Sequence, residues 1–194
     1  GWALSEERTE PVLANAPIPL PDVAAAGIVS QTVHWVQDER LARYTLGLPQ
    51  QFNQEVDTIW RGQTDLVRVN GTGAIYTAQT RVSQATPAQL RATAVSDIPP
   101  VILARYTALP SGVPQRVRDL AQEVAGSRSN PYDQARALEQ FLREYDYSLG
   151  IEGPPAGADP VDYFLFEQQI GYCDYFASAM VVLARAVGLP ARLA

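Results

Sequence analysis

The sequence predicts an α+β protein, a small antiparallel β-domain followed by a helical core. Three observations carry that prediction. Between Gly27 and about Ala85 the apolar residues are β-branched or aromatic and recur with the period of strands. From about residue 106 onward they recur at helical spacing. At 46% hydrophobic and 19% charged residues, 194 residues can bury a real core, as one domain or two small ones.

The elements follow in order. Residues 1–26 hold Pro11, Pro17, Pro19 and Pro21 among alanines, and read as an extended leader. Residues 27–105 read as the β-rich domain. Its strands are expected at Val33-His34-Trp35-Val36, Tyr44-Thr45-Leu46, Val56 to Trp60, Leu66 to Val69 and Ala74 to Ala78, with Asn70-Gly71-Thr72-Gly73 as a turn. Thr86 as N-cap and Pro87 at the first helical position open a short helix, and Ile98-Pro99-Pro100 closes that region. Residues 106–194 form the second domain. Val117, Leu120, Ala121 and Val124 share the face of a helix ending near Gly126, and a second helix starts at Ser129-Asn130-Pro131 and runs to about Glu144. Tyr145 to Leu149 is a short strand or an extended turn. Gly150 to Pro160, with three glycines and three prolines, is a loop. A brief helix follows from Asp159, then a longer one from Tyr172 to Val187, stopped by Gly188-Leu189-Pro190. Residues 191–194 are apolar enough to enter a strand.

Composition excludes several classes of function. The formal charge is -6, and the 15 basic residues are all arginines scattered singly, so the clustered positive charge that phosphate binding needs is absent and no nucleic-acid partner is expected. No window approaches the roughly 18 apolar residues of a membrane helix. One cysteine permits no intrachain disulfide, and one histidine rules out a His-rich zinc site.

That cysteine, Cys173, begins the last helix directly after Gly171-Tyr172. A helix N-terminus carries unpaired N–H groups and the positive end of the helix dipole, which favour a thiolate and can also stabilise the oxyanion of an attacked carbonyl. The competing reading is a small buried apolar residue, since Phe176, Met180, Leu183 and Val187 make one apolar stripe and Ala177, Val181 and Ala184 a second. On composition alone that reading leads.

The surrounding pattern reverses the order. The run from Asp159 through Phe164-Leu165-Phe166, then Gly171-Tyr172-Cys173-Asp174-Tyr175-Phe176-Ala177, then Arg185-Ala186-Val187-Gly188-Leu189-Pro190-Ala191-Arg192 resembles the nucleophile half of the transglutaminase-like superfamily. Within it the closest likeness is to the bacterial membrane-anchored TgpA-type branch, and the resemblance reaches from about residue 110 to the end. It implies that residues 106–194 are the helical N-terminal half of a papain-like transglutaminase core, with Cys173 as nucleophile of a Cys-His-Asp triad and no cofactor or metal. His accepts the thiol proton and later protonates the leaving amine, and Asp fixes the imidazole tautomer. In the superfamily both partners lie downstream of the cysteine, so the chain is expected to end before them and to show no turnover by itself. A core cut there is expected to self-associate through exposed sheet edges.

By the same resemblance Tyr147 and Tyr172 are candidates to support the oxyanion or the substrate, as is Tyr145; from the residues alone Tyr145 and Tyr147 both read more simply as core or loop tyrosines. Asp174 is expected to serve the helix N-terminus, Asp159 and Asp162 to cap a helix, and Arg185 and Arg192 to pair with internal carboxylates. His34 reads as a strand histidine without a catalytic part. The function expected is an extracytoplasmic acyl-transfer or amide-hydrolysis domain of a bacterial membrane protein, acting on a peptide or protein amide and held to the membrane by segments outside this chain. The rival is a non-catalytic module whose β-domain binds a peptide or a cell-wall component.

Overall fold

The structure, a computed structural model, describes residues 7–20, 26–36, 42–62 and 65–193. The chain divides into two compact units between Ala85 and Thr86.

The first unit is all β. Its strands are β1 (Glu7–Val12), β2 (Ala26–His34), β3 (Leu48–Phe52), β4 (Val56–Arg61), β5 (Asp65–Gly71) and β6 (Ile75–Ser83). They form two three-stranded antiparallel sheets, ordered β1-β4-β5 and β2-β6-β3. Phe52, Val56, Trp60, Val69, Tyr76 and Ala78 fill the core together with Ile18. The buried Trp60 indole donates to Thr58 Oγ1 at 2.8 Å, and Thr58 passes its own proton to the Glu10 carbonyl at 2.9 Å. Both polar side chains are thereby buried at little cost.

Two expectations need correction here. Part of the expected leader is a strand: β1 pairs with β4 from Glu7 opposite Arg61 to Val12 opposite Val56, and Ile18 is buried. Pro11 hid it, but an edge strand tolerates a missing N–H. The expected strand at residues 44–46 is instead a loop with Tyr44 and Leu46 exposed, and the strand lies at Leu48–Phe52. Pro49 is accommodated because β3 is also an edge.

The second unit begins with α1 (Pro87–Arg91), which the sequence places correctly. Thr86 and Gln89 form the reciprocal capping box. The region does not close at Pro100; that residue opens α2 (Pro100–Tyr106), where its missing N–H costs nothing. The expected boundary at 105/106 therefore falls inside the second unit's own helices. Helix α1 packs on α4, with the Arg91 Nε 2.9 Å from Asp133 Oδ1.

Helices α3 (Gln115–Ala125) and α4 (Pro131–Leu142) pack on each other and on α6 (Cys173–Ala186). Asn130 caps α4 by accepting from the Asp133 N–H at 2.9 Å. The core draws Val117 and Ala121 from α3, Leu138 and Leu142 from α4, and Ala179, Val182 and Leu183 from α6. Burying a side chain such as Leu138 or Leu183 is worth about 2 kcal/mol. Alanines at 121 and 179, both fully buried, let these helices approach closely. Between α4 and α6 lie β7 (Asp146–Tyr147), α5 (Pro160–Tyr163), a π-helical turn over Phe164–Gln168, and β8 (Ile170–Gly171). Residues 191–193 enter no strand; the Ala191 N–H bonds the Tyr106 carbonyl at 3.0 Å.

Candidate active site

Cys173 is placed by the chain immediately before it. Asp159 caps α5, accepting from the N–H groups of Val161 and Asp162 at 3.0 Å each. The helix then widens into the π turn and stops at Gln169, whose φ of 53° is left-handed. That reversal directs Ile170–Gly171 alongside Asp146–Tyr147 as a parallel pair. The N–H groups of Asp146 and Ser148 donate to the carbonyls of Gln169 and Gly171 at 3.2 and 2.8 Å.

Gly171 is buried and leaves no room for a side chain. A Cβ there would stand 2.9 Å from Tyr175 Cβ and 3.0 Å from Phe164 Cε2. The need for glycine two residues before the cysteine is thus steric. Strand β8 runs flush against the aromatic cluster in which the Phe164 ring meets Tyr175 at 5.7 Å, Phe176 at 5.1 Å and Tyr145 at 5.2 Å.

Helix α6 starts at Cys173 with Tyr172 as N-cap, and Tyr172 offers no side-chain oxygen to the first N–H groups. In the same unit Thr86, Asn130 and Asp159 each supply one. The first N–H groups of α6 therefore have no side-chain cap from Tyr172. The thiol itself is exposed and unbridged, so the buried-apolar reading fails. Its Sγ lies 3.6 Å from Asp174 Oδ1, to which the S–H donates weakly.

Tyr147, in register with Gly171, is exposed and stacks on Phe176 with ring centroids 6.1 Å apart. Tyr172 meets Tyr175 edge-on at 5.1 Å. Both tyrosines lie within the frame that carries Cys173. Tyr145 is structural: its hydroxyl donates to the Leu165 carbonyl at 2.9 Å, and burial pushes the phenol's pKa up. His34 stands exposed on the edge strand β2 of the first unit, opposite Ile75.

Two expectations about charged residues change. Asp162 is not a cap; it accepts from Arg116 through both oxygens, at 2.6 and 2.5 Å. Arg116 also reaches Glu167 at 3.1 Å and lies 4.4 Å over the Phe166 ring, tying α3 to the π turn. Arg185 was expected to pair with a carboxylate, yet its buried guanidinium donates to backbone carbonyls, Ala191 at 2.8 Å and Ala108 at 2.9 Å. Arg192 lies 6.0 Å over the Tyr106 ring.

Helix α6 closes in a Schellman motif. The Gly188 N–H reaches the Arg185 carbonyl at 3.0 Å and the Leu189 N–H the Ala184 carbonyl at 2.9 Å, with Gly188 at φ 83°. Arg185 then binds the segment that this turn delivers. The spacing Arg-x-x-Gly-Leu-Pro-Ala-Arg is a helix end plus its anchor.

Among the described residues, no group of three or more His, Cys, Asp or Glu side chains is arranged to hold a metal ion. None of the described helices is long and apolar enough to cross a membrane.

Residues 118–194 match the family model of the transglutaminase-like superfamily. The chain is 44% identical over 91 residues to an uncharacterized protein, YebA, of Bacillus subtilis, covering 45% of this chain and 12% of that protein. It is 36% identical over 98 residues to a protein-glutamine gamma-glutamyltransferase of Pseudomonas aeruginosa, covering 50% of this chain and 15% of that protein. The chain is also similar to the crystal structure of the periplasmic domain of TgpA from Pseudomonas aeruginosa, with a TM-score of 0.48 and 24% identity over 95% of this chain and 53% of that one. The family match spans the cysteine, the helix it begins and the Schellman turn that ends it, and residues 118–194 belong to the transglutaminase-like superfamily.

Proposed function

We propose that Cys173 is the nucleophile of an acyl-transfer or amide-hydrolysis site on the extracytoplasmic side of a bacterial membrane, with a peptide or protein amide as substrate. The observation that carries this reading is the exposed thiol at the first position of α6, beside N–H groups that Tyr172 leaves uncapped. The sulfur attacks the amide carbonyl carbon and the carbonyl oxygen becomes an oxyanion, to which the uncapped N–H groups of α6 donate. The C–N bond breaks as the leaving nitrogen takes a proton, giving a thioester and ammonia or an amine. Water or a second amine then attacks the thioester and releases the thiol. Tyr147 and Tyr172 flank the site and support substrate or oxyanion. In the Cys-His-Asp pattern that the superfamily resemblance implies, the thiol proton goes to the imidazole of a histidine downstream of the cysteine. His34 takes no part in this reading. The 36% identity to a protein-glutamine gamma-glutamyltransferase supports a glutamine side chain as the acyl donor.

The test is iodoacetamide labelling of Cys173 at pH 7, in the folded chain and in the same chain unfolded in urea. A site built for nucleophilic attack labels about tenfold faster when folded. Equal or slower labelling in the folded state would overturn the reading.

A further inference from the structure

The first unit contains a buried cation for which no described residue supplies a hydrogen-bond acceptor. Arg43 is 6% exposed, and its Nε and both terminal nitrogens are shielded from solvent and lack any hydrogen-bond partner. Its guanidinium lies 4.7 Å over the Tyr76 ring. Its Nε fills the place of the missing side chain at Gly71, where a Cβ would come within 2.7 Å. That same Cβ position is 3.1 Å from Gln54 Nε2, another donor, which is already engaged with the Thr72 carbonyl at 2.9 Å. The Tyr76 hydroxyl in turn donates to the Tyr44 carbonyl at 2.7 Å.

The aromatic face offsets only part of what it costs to strip a guanidinium of water, and among the described residues no group accepts its protons. Burial pushes its pKa down from the usual arginine value, with the Tyr76 ring opposing. Thr72 and Gly73 are exposed, so the guanidinium sits close beneath a surface turn rather than deep in a core. Tyr44, next to Arg43 in the chain, is exposed and meets the Trp35 ring edge-on at 5.5 Å.

We propose that Arg43 is the anchor of a carboxylate-binding site in the β-unit, formed where its unpartnered guanidinium lies between Gly71 and the Tyr76 ring. Its planar fork presents parallel N–H donors that match the two oxygens of a carboxylate, and the neighbouring aromatic residues suit an apolar group carried beside that carboxylate. The ligand class is a carboxylate-bearing peptide or acyl compound. The proposal is independent of the role of Cys173.

The experiment uses the whole chain and acetate as the probe. The Arg43 Nε–H resonance, identified by its loss in Arg43→Met, is followed in wild type against acetate, phosphate and chloride. A saturable shift with acetate alone is expected, with a rise in melting temperature that Arg43→Met abolishes. No shift with any anion would overturn the proposal. Equal shifts with all three would overturn the carboxylate assignment. A resonance that ignores anions and moves in Gln54→Ala would make the Gln54 amide oxygen its acceptor, and would also overturn it. Because the titration is read in the wild-type chain, misfolding of Arg43→Met would remove a control and leave the shift itself decisive.

Discussion

Two arginines are almost equally buried, Arg185 in the helical unit at 9% exposure and Arg43 in the β-unit at 6%. Their surroundings differ. Arg185 donates to two backbone carbonyls and fixes the segment after α6. Arg43 has a ring and a glycine notch and, among the described residues, no acceptor. For both, burial pushes the guanidinium pKa down, with the nearby Tyr106 or Tyr76 opposing. Burial alone therefore does not distinguish an architectural arginine from one available to a ligand. The acceptors do.

The largest expected effect sharpens that contrast. Arg185→Met removes the donors of two carbonyls that the fold holds close, so a loss of about 3 kcal/mol is expected in urea unfolding. Arg43→Met leaves no acceptor stranded and removes an uncompensated buried charge, so its stability should be unchanged or raised. Equal losses from both substitutions would break the comparison.

The next largest effect lies in the frame around the nucleophile. Gly171→Ala drives a methyl against Phe164 and Tyr175, and overpacking of this kind costs about 1–3 kcal/mol. The same change should slow iodoacetamide labelling of Cys173, since β8 leads directly into α6. Labelling unchanged despite lower stability would show that the glycine serves packing alone.

The smallest effect is a pH dependence. The Asp133 carboxyl pKa is lowered by the hydrogen bond from Asn130 first, with burial opposing and Arg91 assisting. A lowered folded-state pKa means that stability from this group is present above the unfolded carboxylate range, near 4, and is lost as the pH falls through the folded value. Wild type should therefore lose more stability than Asp133→Asn on acidification from pH 5 to pH 3. Parallel melting curves across that range would remove Asp133 from the account.

The cysteine's place at a helix start was legible because a helix start is a local feature and the pattern around it extends over many positions. Arg43 carried no such signal, being one arginine in a loop among scattered arginines. Strand β1 was hidden by prolines that only an edge position excuses, and Asp162 was read as a cap because its partner Arg116 is 46 residues away in sequence.

The sequence by itself determined the helix starts at Thr86, Asn130 and Asp159, the stop at Gly188, and the place of Cys173 at the start of α6. Each depends on a side chain or a backbone angle within a few residues, so the interaction is written locally. Only the tertiary structure decided that Gly171 must be bare, that Arg185 binds carbonyls and that Arg43 meets no acceptor among the described residues. Those facts depend on groups brought together from distant parts of the chain, where clearance and the presence or absence of an acceptor are set by packing.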